Sequence, residues 1–322
     1  MVTLMLASIL LLLSAPSVHP VTLPGGPPVS MDYLAWDAAH GRVWIPAGNT
    51  GRVYVLDARS GKLDSVEGFP TAKRGERTVG PSSATAGENY VYVGNRADSS
   101  VCAVEAKTLS RKGCVTLASM PDGLQYVAPT KEVWVTTPRD KSIVVLSVKD
   151  PAAPAVAGKI DLDGQPEGFA VDAGRALFFT NLEDKDRTLA IDARSRKVLF
   201  NWKTGCGEAG PRGLAVDTGR QHLYVACTDR VKLLDERDGK VLSELETGGG
   251  VDNIDYLPAK KQVYVASGTT GTLSIVEDAA DGSLKRAASV PTAPGGRTAL
   301  VDSDGTVYIP DSKEGRLLVV KP

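Results

Sequence analysis

Seven polar residues recur at one position of a sequence repeat, nine to eleven residues before a short apolar run. They are Asp32, Ser82, Asp122, Glu167, Arg212, Asp252 and Arg297. The four carboxylates could bind a divalent cation, because hard cations prefer oxygen ligands. The two guanidinium groups could instead hold an anion by paired hydrogen bonds. Either chemistry requires the seven positions to lie together in space, which depends on the repeat that carries them.

The repeat is clearest between residues 211 and 245, where four apolar runs of strand length are separated by turns rich in Gly, Asp and Lys. A unit of four strands and roughly 40–45 residues is typical of one β-propeller blade. The second run contains an aromatic residue in every copy and recurs seven times, as Val43-Trp44-Ile45, Val91-Tyr92-Val93, Val133-Trp134-Val135, Leu177-Phe178-Phe179, Leu223-Tyr224-Val225, Val263-Tyr264-Val265 and Val307-Tyr308-Ile309. The sequence therefore predicts an all-β, seven-bladed propeller that forms a single domain over residues 20–322, with the central aromatic residue of each run packed between blades.

The seventh copy ends at Pro322, directly after its third strand. An unpaired strand edge invites association with other chains, so another segment must cover it. Val21 to Leu23 precede the first copy and are the one spare segment with β-forming residues. We predict that this segment supplies the outer strand of the last blade and closes the propeller.

The repeats also resemble a known family. Their form, Pro-x-Gly-φ-Ala-Val-Asp followed by Gly-x-x-Leu-Tyr-Val-Ala, is similar to the YVTN-type repeats of the YncE-like seven-bladed β-propellers. The cleanest copies are residues 166–202 and 211–245, and the resemblance covers residues 21–322. The second copy departs most, since residues 81–86 lack the glycine. The motif consists of packing and turn residues, so the resemblance implies a fold and says little about function.

An apolar run at residues 4–13 is too short to span a bilayer but suits the core of a secretory signal. We therefore assign residues 1–19 to a signal peptide, with an uncleaved membrane anchor as the alternative. No later segment is apolar enough to cross a membrane. We predict a periplasmic or secreted protein.

The cysteine content agrees with export, because disulfides persist in oxidising compartments. Four cysteines allow three connectivities. Locality favours the pairs Cys102–Cys114 and Cys206–Cys227, since each pair would join neighbouring strands or loops of one blade.

In a propeller the innermost strand of each blade lines a central channel, so the seven polar positions would form one rim at the channel mouth. We define this rim as Asp32, Ser82, Asp122, Glu167, Arg212, Asp252 and Arg297. Loops between second and third strands lie on the same face and add further polar side chains, among them Asn95, Arg96 and Asn181.

Three interpretations of the rim remain open. In the first, it binds a partner protein or a small anionic ligand through Asp32, Asp122, Glu167, Arg212, Asp252, Arg297, Asn95 and Asn181. In the second, it is the site of a metal-dependent lactonase or hydrolase of the gluconolactonase/regucalcin type, with Glu167, Asn181, Asp252 and Asn253 as ligands of a divalent cation. In the third, the residues at the channel mouth are polar only because they are in contact with solvent, and they have no binding or catalytic role.

Composition and motifs favour a binding module over an enzyme. Lys and Arg (37) nearly balance Asp and Glu (38), and basic pairs are scattered over different blades, so we expect no strong nucleic-acid binding. Gly-x-Ser-x-Gly and His-Glu-x-x-His motifs are absent. His222 stands in a turn and is interpreted as a surface residue. We expect a monomer without catalytic activity and without a cofactor, apart from the divalent cation that the hydrolase alternative would require.

Overall fold

The computed structural model describes residues 16–322 of the chain. They form seven four-stranded antiparallel sheets, each running from an innermost to an outermost strand, and one two-stranded hairpin between blades 1 and 2. The predicted all-β, seven-bladed propeller is confirmed. No helix within residues 16–322 is long and apolar enough to cross a membrane.

The strand bounds follow the repeat along the chain. Blades 1 to 3 contain β2 (Ala35–Asp37), β3 (Arg42–Ala47), β4 (Arg52–Asp57) and β5 (Leu63–Val66); β8 (Pro81–Ala86), β9 (Tyr90–Asn95), β10 (Ser100–Glu105) and β11 (Ser110–Thr116); and β12 (Leu124–Val127), β13 (Glu132–Thr137), β14 (Ser142–Ser147) and β15 (Ala155–Asp161). Blades 4 to 6 contain β16 (Pro166–Asp172), β17 (Leu177–Leu182), β18 (Arg187–Asp192) and β19 (Val198–Lys203); β20 (Pro211–Asp217), β21 (His222–Cys227), β22 (Arg230–Asp235) and β23 (Val241–Glu246); and β24 (Ile254–Leu257), β25 (Gln262–Ser267), β26 (Thr272–Asp278) and β27 (Leu284–Pro291). The hairpin is β6 (Ala72–Arg74) with β7 (Arg77–Val79), and short 3₁₀ turns span Ala128–Thr130, Pro138–Asp140 and Gly207–Ala209.

Blade 7 is built from both ends of the described chain. Its inner strands are β28 (Leu300–Val301), β29 (Val307–Asp311) and β30 (Arg316–Lys321), and its outer strand is β1 (Ser17–Thr22). β1 pairs antiparallel with β30 over six residues. The predicted closure is confirmed, with the strand beginning four residues earlier than the Val21 to Leu23 segment. Residues 1–15 of the predicted signal peptide lie outside the described residues. Its last three residues, 17–19, belong to β1.

Seven apolar clusters hold the blades together, one at each interface between neighbours. The central aromatic residue of the second strand packs between neighbouring blades in all seven blades, as predicted, and in six of them it faces the next blade along the chain. Blade 4 is the exception: Phe178 packs back against Trp134 of blade 3, with ring centroids 4.7 Å apart. Phe179 takes the expected position in the cluster with blade 5. The repeat in blade 4 is thus shifted by one residue from the predicted register.

Both predicted disulfides are present. Cys102–Cys114 joins directly paired residues of β10 and β11, and Cys206–Cys227 ties the loop before blade 5 to the end of β21. Closing loops of this size contributes about 3 kcal/mol each in the loop-entropy picture. They are consistent with an oxidising, extracytoplasmic environment.

On the face opposite the rim, polar side chains connect blades 5 and 6. Asp278 has a fully buried side chain, and its Oδ2 accepts from the Tyr224 hydroxyl at 2.6 Å and pairs with Arg220 at 2.9 Å. His222 Nδ1 lies 2.6 Å from the same oxygen. His222 lies away from the channel mouth, as predicted, but it is only partly exposed, because its ring packs against a carboxylate of the next blade.

Candidate functional site

The rim carboxylates are brought together at one end of the channel, and a loop arginine links two of them. Asp32 precedes the innermost strand of blade 1, and Asp122 precedes that of blade 3. Arg96, from the loop after the second strand of blade 2, donates to Asp32 Oδ2 at 2.8 Å and to Asp122 Oδ1. The Arg96 guanidinium therefore links a carboxylate of blade 1 to one of blade 3. Blade 2, which lies between them, contributes only the uncharged Ser82 to the rim.

Tyr33 crosses the channel. Its hydroxyl donates to Glu167 Oε1 at 2.8 Å and lies 3.5 Å from Asp122 Oδ2, and its ring stacks on Phe169 at 5.6 Å. Glu167 and Phe169 belong to blade 4, which faces blade 1 in a circle of seven. A Cβ at Gly123 would lie only 2.2 Å from the Phe169 ring, so the glycine makes room for this pair. The two rings form an aromatic constriction directly below the rim.

Two further arginines complete the rim, and each is already paired with a carboxylate. Arg297 Nε lies 3.2 Å from Asp252 Oδ2, although more than half of the Arg297 side chain is exposed. Arg212 pairs through Nη1 with Glu183, which follows the second strand of blade 4. The mouth therefore holds five carboxyl groups against three guanidinium groups, counting Arg96 and Glu183.

The two predicted asparagines have structural roles. Asn181 is fully buried, its Nδ2 donates to the Arg212 carbonyl at 2.6 Å, and its Oδ1 accepts from Thr188 at 2.6 Å. Asn95 is also buried, and it donates to the Pro70 carbonyl at 3.0 Å. Both amides shape the loops that carry the rim and do not join its charged groups.

One candidate ligand of the hydrolase alternative, Asn181, has a structural role. Both polar atoms of Asn181 are used inside the protein, and Asn253 Nδ2 is buried without a partner. Within residues 16–322, no three His, Cys, Asp or Glu side chains are placed to hold one metal ion.

Burial and crowding raise the pKa values of the rim carboxyl groups. Burial, followed by the negative charges of Asp122 and Asp252, raises the pKa of Glu167 to about 8. Burial raises the pKa of Asp252 to about 6 despite Arg297. The pKa of Asp122 is also raised by burial, and Arg96 opposes that shift. At neutral pH, Glu167 therefore retains its proton for most of the time.

The raised pKa of Glu167 predicts a pH-dependent stability. Between about pH 5 and pH 8 the unfolded chain releases a proton that folded Glu167 retains, so the free energy of unfolding falls as pH rises. Over this range we expect the Tm of the wild type, measured by circular dichroism, to fall by about 5 °C or more beyond any fall in the Tm of the Glu167→Gln variant. Glu105→Gln is the matched control, since pairing with Lys112 lowers the pKa of Glu105. Identical pH profiles for the wild type and Glu167→Gln would contradict the assignment.

Sequence reasoning located the rim but missed Tyr33 and Glu183. Tyr33 follows Asp32 directly, and an aromatic residue beside a rim position is the signal that could have identified it. Glu183 lies two residues after Asn181, in the loop already recognised as part of this face. No motif marks either residue.

Comparisons with known proteins identify the fold. No protein-family profile and no curated protein sequence matches the chain. A chain in the crystal structure of a Mitotic Checkpoint Complex superposes with a TM-score of 0.77 at 16% identity, covering 94% of this chain and 91% of that chain. Kuenenia stuttgartiensis Hydrazine Synthase gives 0.75 at 15% identity, covering 94% and 97%. Streptogramin B lyase gives 0.76 at 12% identity, covering 95% and 97%. At these identities the similarity shows the seven-bladed propeller fold and no narrower family.

Proposed function

We propose that the chain is an extracytoplasmic, non-catalytic binding module of the YncE-like type, which holds a partner protein at the rim. The observation that carries this proposal is the excess of carboxyl groups there, with the pKa values of Glu167 and Asp252 raised to about 8 and about 6. A positive charge brought to the mouth would favour the ionised form of each crowded carboxyl group. The partner group that best suits this rim is a lysine or arginine side chain.

This chemistry favours a partner protein over a small anionic ligand. Arg96, Arg212 and Arg297 each pair with a carboxylate, which offsets part of their positive charge and weakens their attraction for an anion. No paired charge weakens the attraction of Glu167 for a cationic side chain, because its hydrogen-bond partner is the uncharged Tyr33. The position of the rim on one face of the propeller leaves room for a protein-sized partner.

The fold of the neighbours is compatible with such a role. Two of them come from structures described as a Mitotic Checkpoint Complex and a Hydrazine Synthase, and a third is a Streptogramin B lyase. The same scaffold thus serves different roles, so the proposal for this chain depends on the rim and not on the neighbours.

Charge-specific variants test the proposal. A partner captured from the source cells by cross-linking, then purified, is titrated calorimetrically against the wild type, Glu167→Gln/Asp252→Asn and Arg212→Ala/Arg297→Ala. We expect the first pair to weaken binding by about tenfold or more and the second to change it by less than about threefold. Glu105→Gln/Asp281→Asn is the matched control, because it removes the same two kinds of carboxyl group away from the mouth.

The other outcomes are equally informative. Loss of binding in the arginine pair alone would favour an anionic ligand. Unchanged binding in both rim pairs would show that the partner uses another surface.

A further inference from the structure

A cavity of about 450 Å³ occupies the channel on the far side of the aromatic constriction. Residues from all seven blades line it, from Tyr33 and Phe169 at the rim side to Pro258 and Ser303 at the other. Pro258 and Ser303 are exposed, so the cavity opens on the face opposite the rim. Its volume lies within the range of small-molecule binding sites.

The cavity is separate from the rim. The stacked rings of Tyr33 and Phe169 lie between the two, and the Tyr33 hydroxyl points to the rim carboxyl groups while its ring lines the cavity. A molecule in the cavity would therefore meet the aromatic face of the constriction and not the charged groups above it.

The walls of the cavity combine aromatic and aliphatic side chains with polar ones such as Thr85 and Gln125. Trp36, Tyr33, Phe169 and Tyr256 provide aromatic surface, and Leu214 contributes an apolar side chain from blade 5. The Trp36 indole donates to Ser303 Oγ at 3.1 Å, which fixes the tryptophan near the opening. Such walls favour an apolar body, and their π faces attract organic cations.

Two carboxyl groups lie on these walls, and Asp255 has more spare hydrogen-bonding capacity than Asp302, which already accepts three hydrogen bonds. Asp255 accepts from the Tyr256 N–H at 2.8 Å and from the Val301 N–H at 2.9 Å. A carboxylate has about four acceptor sites, so these two bonds leave it able to accept more. No lysine or arginine lines the cavity. Burial raises the pKa of Asp255 to about 6, so the group is still mostly ionised at neutral pH.

We propose that this cavity is a second binding site, which takes a small organic ammonium ion with an aromatic or branched apolar body. The ammonium group pairs with Asp255, and the apolar body packs between Trp36 and the constriction. The site is independent of the partner-binding role proposed for the rim.

The test uses probes that share a 4-hydroxyphenylethyl body and differ in the charged group at its end. Tyramine carries the ammonium group, 4-ethylphenol is its neutral counterpart, and 3-(4-hydroxyphenyl)propanoate is its anionic counterpart. In calorimetric titrations of residues 16–322 at pH 7.5, we expect tyramine to bind with a Kd below about 1 mM. The other two probes should bind at least about tenfold more weakly. No binding of tyramine, benzylamine or isoamylamine at about 5 mM would overturn the proposal.

Three variants locate the site. Asp255→Asn should weaken tyramine about tenfold or more and leave 4-ethylphenol unchanged, because it removes the charge and keeps the shape. If that variant does not fold, Leu300→Trp provides a second test, since it fills the cavity from a partly exposed wall position and should abolish binding. Glu167→Gln/Asp252→Asn at the rim should bind tyramine as the wild type does. Loss of tyramine binding in the rim variant, with retention in Asp255→Asn, would place the amine at the rim and refute the cavity site.

Discussion

A chain that begins at Leu23 should unfold more than 10 °C below one that begins at Pro16, or fail to fold in soluble form. The difference between them is β1, which pairs with β30 over six residues. Val18 packs on the cluster between blades 6 and 7, and Val21 packs on the cluster between blades 7 and 1. Removing β1 exposes both clusters and the whole edge of β30, at a cost of about 5 kcal/mol or more. Thermal unfolding followed by circular dichroism measures the effect.

The hairpin of β6 and β7 offers a control of similar length. Replacing residues 73–78 by Asn-Gly shortens a two-stranded sheet that belongs to no blade. We expect this change to shift Tm by less than about 2 °C. Equal stability of the chains starting at Pro16 and Leu23 would mean that β1 does not close the propeller in solution.

The blade count and the closure could be predicted because the sequence contains seven copies of the repeat. The error in blade 4 shows the limit of that signal. Phe178 and Phe179 are both aromatic and apolar, so the run alone does not say which one faces the next blade. The turn between the first and second strands of the blade indicates the correct register. Asp172 and Asp217 occupy equivalent positions before this turn, which aligns Leu177 with His222 and Phe179 with Tyr224.

The pairing of charges at the rim could not be predicted in the same way. The repeat places Asp32 and Asp122 at equivalent positions, but whether Arg96 reaches both depends on the width of the channel and on the loop conformation. Tyr33 likewise reaches blade 4 only because the channel is narrow enough for one side chain to cross. Periodicity specifies backbone positions, whereas these contacts depend on side-chain length and direction.

The Pro-x-Gly step of the repeat has a physical cause that leads to a second large effect. A Cβ at Gly168 would lie 2.3 Å from the Arg212 carbonyl oxygen and 2.6 Å from the Gly213 Cα. Gly213 in turn approaches the backbone of blade 6, where a Cβ would lie 2.7 Å from the Asp252 carbonyl oxygen. The innermost strands therefore touch backbone to backbone beside the rim, and the glycine makes that approach possible.

Gly168→Ala should consequently destabilise the domain by about 3 kcal/mol, or roughly 6–12 °C in Tm, because the obstructing atoms are backbone and cannot turn away. Gly174→Ala is the matched control in the same blade, since its Cβ would meet one atom, Asp172 Oδ1, at 3.3 Å. Guanidinium chloride unfolding of both variants gives the comparison. The strand shift forced by Gly168→Ala also displaces Arg212, so rim binding should weaken even at temperatures where the variant is folded. If both alanine variants were as stable as the wild type, the close approach of blades 4 and 5 would not exist in solution, and the spacing of the rim groups derived from it would be wrong.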